Sequence, residues 1–547
     1  MLLRLLVYLV TRPWHAAIAW RAAAHHGQGL RRERAGDAEG ARRSLERALL
    51  LAPSRREWWA TLGDIRFRAG DFAKAALCYR TAAEDKSAVP GVQLRLGRAL
   101  LASGEGLEAI VALRAAYQES PSDETLRELV HALIQTDNVR KAKAVSERAV
   151  VEDPTSFAAR LLLATVCQKA HEPIEALDHF DAALRLRPGD AEALDMRGVT
   201  LQQLGRMEDA LADYDRALAI VPGFPPALFH RGLARLLLGD FERGWEGYEV
   251  RKLSEEDRRV ATAHPIWDGA RIPAKTLLVR REQGLGDEIM FASIYGDVVS
   301  RVGHCLIECD SRLRSLFERS IPQATFFPAM GGPLPKPLAS RRVDFEIDAG
   351  SLPNLFRRGA ASFPPHGGYL KAAPARVERW RQRLAELGGA PAIGISWTGG
   401  VRKTGRATRS LSLENCLPLL KLSGLRFVSL QYTPEAEEQV ASVRRDHGVD
   451  VQHWPEAIDD YDETAALVCA LDLVVSVCTS VVHLAGALGR PVWVLAPYSP
   501  EWRYGFRGST MAWYPSVRIF RQTRFGDWSD ALSEVRTALQ ERSRVPA

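Results

Sequence analysis

Three short segments carry side chains of types and spacings that could do chemistry. The first is Gln283-Gly284-Leu285-Gly286-Asp287-Glu288, which directly follows the run TLLVRR (276–281) and opens a helical stretch. Glycines such as Gly284 and Gly286 let the backbone approach a ligand closely, and a helix N-terminus favours negative charge. The plainer reading is a tight strand–helix turn with Asp287 as the charge at the helix start. The second segment is Ser396-Trp397-Thr398-Gly399-Gly400, followed by Lys403, Arg406, Arg409 and Ser410. Glycine, hydroxyls and cations together suit a diphosphate, against a solvated basic loop as the alternative. The third begins at Cys478-Thr479-Ser480 and runs through His483, Gly486 and Pro491. The apolar run Leu473–Val477 delivers the Thr479-Ser480 pair onto a helix start, where hydroxyls and free N–H groups would hold phosphate. His483 then lies one turn in, on the side expected to face a ligand, although a lone histidine is as readily structural. The acidic stretch Asp459-Asp460-Tyr461-Asp462 precedes a helix and reads as its N-terminal cap rather than a metal motif. Metal-free chemistry is therefore expected.

The elements that must position these segments alternate. From Thr276 onward, short β-rich apolar runs (276–281, 305–309, 324–328 and 343–347) are interleaved with helical stretches. A Pro/Gly-rich stretch, Phe363–Gly368, interrupts the pattern, and a helix over Ala375–Leu387 follows. The alternation then restarts at 391–397, 425–431, 450–454, 471–477 and 491–497, and an amphipathic helix closes the chain over Trp528–Arg542. Alternation of this kind predicts parallel sheets covered by helices. Two Rossmann-like halves are expected, 265–372 and 373–547, with ligands at the carboxyl ends of the strands.

Upstream, a self-similarity recurs at roughly 34 residues. Ala41/Leu45/Ala48, Ala75/Tyr79/Ala82, Ala109/Leu113/Ala116, Ala142/Ser146/Ala149, Ala176/Phe180/Ala183, Ala210/Tyr214/Ala217 and Gly244/Tyr248 are successive copies. Pro53, Pro121, Pro154, Pro188 and Pro222 close most units, and Gly63, Gly97, Ala164, Gly198 and Gly232 are small residues in the first helix of several. The small residues are expected to let paired helices approach, the aromatics to fill the gap between neighbouring units, and the prolines to end the second helix. This pattern resembles the tetratricopeptide (TPR) repeat. It implies an α-solenoid of about seven repeats over 26–255 that holds another polypeptide. The first 25 residues, beginning MLLRLLVYLV, are too short and too interrupted by Arg4, Arg12 and Pro13 to span a bilayer. They read as an apolar helix packing on the first repeat, with a membrane-surface or partner-binding helix as the alternative.

Composition narrows the class. The 547 residues are 46% hydrophobic and 26% charged, and 73 basic against 67 acidic side chains leave +6, too little to demand a nucleic-acid partner. Seven scattered cysteines with no CxxC indicate neither a disulfide framework nor a zinc site, which suits a reducing cytoplasm.

Taken in order, the three segments resemble bacterial GT-B glycosyltransferases of the heptosyltransferase-like class, family 9, over roughly residues 272–525. DETAALVCALDLVVSVCTSVVHLAGALGRPVWVLAP (462–497), Trp502 and Trp513-Tyr514-Pro515 carry most of the likeness. The resemblance implies an aspartate near the acceptor as base, here Asp287. It also implies a donor-phosphate site at Trp397, Lys403, Arg409, Thr479, Ser480 and His483. Cys478 departs from the pattern, which has an aspartate there. The combination of repeats and GT-B half is similar in layout to O-GlcNAc transferases, and closer to TPR-bearing enzymes that modify flagellin with nonulosonic sugars. Asn138, Asn354 and Asn415 are the only asparagines, so no asparagine ladder grips an acceptor. The resemblance thus implies a cytoplasmic, metal-independent, inverting protein O-glycosyltransferase using a nucleotide sugar, with a CMP-linked donor among the candidates and flagellin as acceptor. A non-catalytic scaffold and a lipopolysaccharide-type glycan transferase are the alternatives.

Overall fold

A computed structural model of the chain describes residues 2–84, 89–253, 264–329, 342–400 and 405–544. It divides into two compact units, Met1–Ala193 and Leu194–Ala547. Among the described residues, no helix is long and apolar enough to cross a membrane.

The described elements of the first unit are all helices. Its helices are α1 (Leu2–Arg34), α2 (Ala38–Leu51), α3 (Arg56–Arg68), α4 (Phe72–Ala83), α5 (Val92–Ala102), α6 (Gly106–Glu119), α7 (Asp123–Gln135), α8 (Val139–Glu152), α9 (Phe157–Lys169) and α10 (Pro173–Leu186). They pair as five successive hairpins. Each proline that follows a second helix lies two residues beyond its last turn, as at Leu51/Pro53 and Glu119/Pro121. The small residues do what their spacing predicts. A Cβ at Gly63 would stand 2.6 Å from the Tyr79 ring, and one at Gly97 would stand 2.4 Å from Leu113. The aromatic position needs correcting. Tyr79 lies across from Gly63 within its own hairpin, because only a missing side chain there leaves room for a ring. Its other side meets the next hairpin, where the Arg95 guanidinium sits 5.9 Å from the ring centroid. The boundary expected at residue 25 also disappears: α1 is one unbroken helix whose C-terminal part pairs with α2.

The division falls within the first turn of α11 (Ala191–Gln203), and two more hairpins belong to the second unit, α11 with α12 (Met207–Ile220) and α13 (Pro225–Leu238) with α14 (Phe241–Tyr248). Seven hairpins are thus described, but the chain does not divide near 255. The last two pack with the sheets that follow, through a cluster of aromatic rings. Trp245 stands 5.2 Å from Trp502 and 6.3 Å from Trp513, centroid to centroid, and its Nε1 donates to the Arg357 carbonyl at 2.8 Å.

The first sheet contains β1 (Ile272–Arg280), β2 (Val302–Cys309), β3 (Ala324–Pro328) and β4 (Phe345–Asp348), all parallel, in the order β3-β2-β1-β4. Helix α15 (Leu285–Phe291) leaves β1 and α16 (Arg314–Ser320) leaves β2. Helix α17 (Pro374–Glu386) then leads into the second sheet, which contains β5 (Ala392–Ser396), β6 (Arg426–Ser429), β7 (Val451–Gln452), β8 (Leu473–Val477), β9 (Val492–Ala496) and β10 (Val517–Arg521). Its order is β10-β9-β8-β5-β6-β7, again parallel. The covering helices include α18 (Ala436–His447), α19 (Tyr461–Ala470), α20 (Ser480–Ala487) and α21 (Ser529–Arg544). Every residue of β5, β8 and β9 is buried, as strands covered on both faces must be. The class is α plus α/β. In each sheet the strand order reverses beside the first strand, between β1 and β4 and between β5 and β8. Such reversals open a crevice at the carboxyl ends.

Candidate functional site

All three sequence segments sit at these reversals. Gln283–Asp287 follows β1, Ser396–Gly400 follows β5, and Cys478–Ser480 follows β8. The turn after β1 is tight: Gln283 takes the left-handed conformation (φ 64°), unusual for a side-chain-bearing residue. Gly284 caps α15, and its N–H donates to Asp287 Oδ2 at 3.1 Å. Gly286 is where the two sheets' helices meet. A Cβ there would lie 3.0 Å from His483 Cδ2 and 3.5 Å from Ser480 Cα. A side chain there would press on the His483 ring, so the glycine lets α15 and α20 approach closely.

The turn after β5 is set by Gln431, a fully buried amide. Its Oε1 accepts from the N–H groups of Trp397 (3.0 Å) and Thr398 (2.9 Å), and its Nε2 donates to the Thr398 carbonyl. This turn lies against the one after β8: a Cβ at Gly399 would stand 2.7 Å from the Cys478 carbonyl. Thr479 caps α20, its Oγ1 accepting from the Val481 N–H at 3.1 Å, with Ser480 as the first helical residue.

Four charges cross this region in alternating sign. Arg409 Nη1 donates to Glu501 Oε1, Arg503 Nη1 to Glu501 Oε2 at 3.2 Å, and Arg503 Nη2 to Asp287 Oδ1. Arg409 and Arg503 are largely buried. Burial works against the Arg503 charge, but the Asp287 and Glu501 carboxylates outweigh it and raise its pKa further. A Cβ at Gly400 (φ 74°) would collide with the Arg409 guanidinium. A second network lies behind. Arg251, after α14, donates to both Glu282 oxygens at 2.6 and 2.9 Å and to Ser351 Oγ at 2.9 Å. It ties the end of the repeats to the turn after β1.

Two expected site residues take other roles. Trp397 is a core side chain, 1% exposed, with Nε1 donating to Gln439 Oε1 at 2.8 Å. No face of its indole is open to a ligand. His483 is buried, with Nδ1 3.1 Å from Tyr514 Oη and Nε2 3.5 Å from Tyr504 Oη. Burial, reinforced by Arg503 and Arg409, pushes its pKa down to about 3. The ring is thus neutral near pH 7 and adds no positive charge for a phosphate. Lys403 lies outside the described residues. Cys478 is buried, and its thiol is pushed up to about 12. The sequence reading missed Arg503, Glu501 and Gln431. Only Trp502, beside Arg503, gave a signal.

Beside the charged chain, a cavity of about 780 Å³ lies between the loop 205–209, the turn 236–241 and the segment 502–513. The last two hairpins and the connection between β9 and β10 share its wall. Among the described residues, one grouping has metal-ligand spacing: Cys167, Glu175 and His179 in the fifth hairpin. Lys143 Nζ already donates to Glu175 there, at 2.8 Å.

The family profile described as Tetratricopeptide repeat matches residues 26–90, 61–124, 168–225 and 196–244. Such repeats are protein-interaction scaffolds. Protein FlbA of Caulobacter vibrioides (strain ATCC 19089 / CIP 103742 / CB 15) is 31% identical over 510 residues, covering 88% of this chain and 84% of FlbA. That span takes in both repeats and sheets. Among solved structures, a tetratricopeptide repeat protein from Parabacteroides merdae ATCC 43184 aligns at 18% identity and a TM-score of 0.38, covering 44% of this chain and 95% of its own. YrrB, a TPR protein with an unusual peptide-binding site, aligns at 21% and 0.27, covering 34% and 95%.

Proposed function

This chain belongs to the family of Protein FlbA, and from its cleft we propose that it transfers a sugar from a nucleotide-activated donor to a Ser or Thr hydroxyl of a polypeptide held by its repeats. The observation that carries this reading is the chain Arg409–Glu501–Arg503–Asp287, drawn from the segments that follow β1, β5 and β9. Two guanidiniums beside the Thr479-capped start of α20 suit a donor diphosphate. Asp287 is the base. A hydroxyl nucleophile needs its proton removed as the glycosidic bond forms, and Asp287 is the carboxylate at the α15 turn. Both of its oxygens are engaged, so Arg503 must turn toward the donor phosphate to free one. The arginines then offset the charge that develops on the leaving phosphate. The 780 Å³ cavity gives the acceptor segment a place beside Arg503. Flagellin is the proposed acceptor and a CMP-linked nonulosonic sugar the first donor to try.

The test is to incubate purified protein with flagellin and a panel of CMP-, UDP-, GDP- and ADP-sugars. A fixed mass increment on flagellin, absent with Asp287→Ala, is the expected result. A non-catalytic scaffold is the second reading, favoured by the protonated Cys478 and by the doubly engaged Asp287. It requires that no nucleotide sugar raise the protein's melting temperature and that no transfer occur.

A further inference from the structure

The first half of α1 is left without a task by everything above. Within the first unit, α2 (14 residues) pairs only with the C-terminal part of α1, and Ala22 is the first buried position described along the helix. Before it, Trp14 and Trp20 are each 74% exposed and Ile18 is 40% exposed. Two indoles this open on one helix need a partner, since burying each would remove a large apolar area from water.

The sequence of this stretch says what kind of partner. At about 100° per residue, residues 2–20 segregate sharply. Arg4, Tyr8, Thr11, Arg12 and His15 fall within an arc of about 100°, with Ala19 among them. The remaining arc, about 220° wide, holds only apolar residues and includes Trp14, Ile18 and Trp20. No acidic residue occurs before Glu33, whereas Arg4, Arg12, Arg21, Arg31 and Arg32 all precede it. A groove on another protein would bury a narrower stripe of about 100°. A wide apolar face edged by cations and carrying tryptophans suits a bilayer interface, where indoles sit at headgroup level and arginines meet anionic lipid. The arginines and Pro13 make the stretch unfit to cross.

We propose that the N-terminal half of α1 lies in the surface of an anionic membrane and holds the protein there as a peripheral protein. This does not depend on the transfer reaction. The test is co-sedimentation of the full chain with vesicles of phosphatidylcholine containing about one quarter phosphatidylglycerol, against pure phosphatidylcholine. The chain is expected to pellet with the anionic vesicles at least about fivefold more strongly, and to be released between about 50 and about 500 mM salt. A Trp14→Ala/Trp20→Ala variant is expected to lose about tenfold in partitioning. An Arg4→Ser/Arg12→Ser variant is expected to lose only the preference for anionic lipid. The altered tryptophans are exposed, so thermal melts should match the parent, and the arginine variant gives an independent readout. The proposal is overturned if the parent stays in the supernatant with anionic vesicles, or if the tryptophan variant pellets as well as the parent. It is also overturned if light scattering shows a tryptophan-dependent dimer that ignores vesicles, for then a second copy covers the face.

Discussion

Asp287 accepts one hydrogen bond from its own turn and another from Arg503, a residue 216 positions later in the chain. Removing one partner of a largely buried ion pair leaves the other uncompensated, at a cost of about 3–5 kcal/mol. Asp287→Ala is therefore expected to lower the urea midpoint as well as any transfer, and Asp287→Ala/Arg503→Ala to recover much of the stability but none of the transfer. A double-mutant cycle by denaturation reads this, and strictly additive losses would mean the pair is not coupled. His483 makes a separate pH prediction. Its folded pKa of about 3 lies below the ordinary histidine value of about 6.5, so the unfolded chain takes the proton first as pH falls. Its contribution is whole above pH 6.5 and drains away below it, by up to about 1.4 kcal/mol per pH unit. Glu288 works in the opposite sense. Burial lifts it to about 6 despite Arg281, so its proton favours the folded state as pH falls from 6 toward 4.5. The His483→Gln variant isolates the first effect: its stability difference between about pH 7 and about pH 5 should shrink by about 2 kcal/mol. An unchanged difference would place His483 in a solvated site.

Among the elements, the hairpins rest on contacts between a missing side chain and a large one. Ala for Gly at an exposed helix site would add up to about 1 kcal/mol of helix propensity. At Gly63 the added methyl meets the Tyr79 ring at 2.6 Å, and that ring is itself 2% exposed, so it cannot swing away. Overpacking of this kind costs about 1–3 kcal/mol and should win. Gly63→Ala is expected to lower the melting temperature of the first unit, whereas Gly36→Ala, with nothing within 4 Å but φ at 80°, tests backbone strain alone. The same physics decides what the sequence revealed. Strands buried on both faces are continuous apolar runs, so β5, β8 and β9, and the buried 276–279 part of β1, were legible as strands and the motifs could be placed at their ends. Strand β10 was missed because Arg518 and Arg521 interrupt its apolar residues at the sheet's edge. The 34-residue period was legible because each repeat reuses one packing solution. Arg503, Glu501 and Gln431 were not, because an ion pair or a buried amide has no local period. Its meaning comes only from what the fold brings beside it. Trp397 was misread for the same reason: indoles serve cores and ligands alike, and only its burial and the bond to Gln439 tell which.

At the scale of the whole chain, the compact division at 193/194 assigns the last two hairpins to the sheets rather than to the repeats they resemble. The cause is specific. Trp245 is fully buried among Tyr248, Trp502 and Trp513, and truncating a buried aromatic of this size costs about 3–5 kcal/mol. Arg251 adds a buried ion pair to Glu282, and the Phe506 N–H donates to the Leu237 carbonyl at 2.8 Å. A fragment of residues 194–547 should therefore unfold in one cooperative transition. A fragment of residues 264–547 exposes the Trp502 and Trp513 faces, leaves Glu282 without Arg251, and should bind a hydrophobic dye or aggregate. Circular dichroism melts of the two fragments decide it. Equal stability would mean the last hairpins are passengers on the sheets. A higher midpoint for the longer fragment would mean that the α13–α14 hairpin is built into the wall of the cleft.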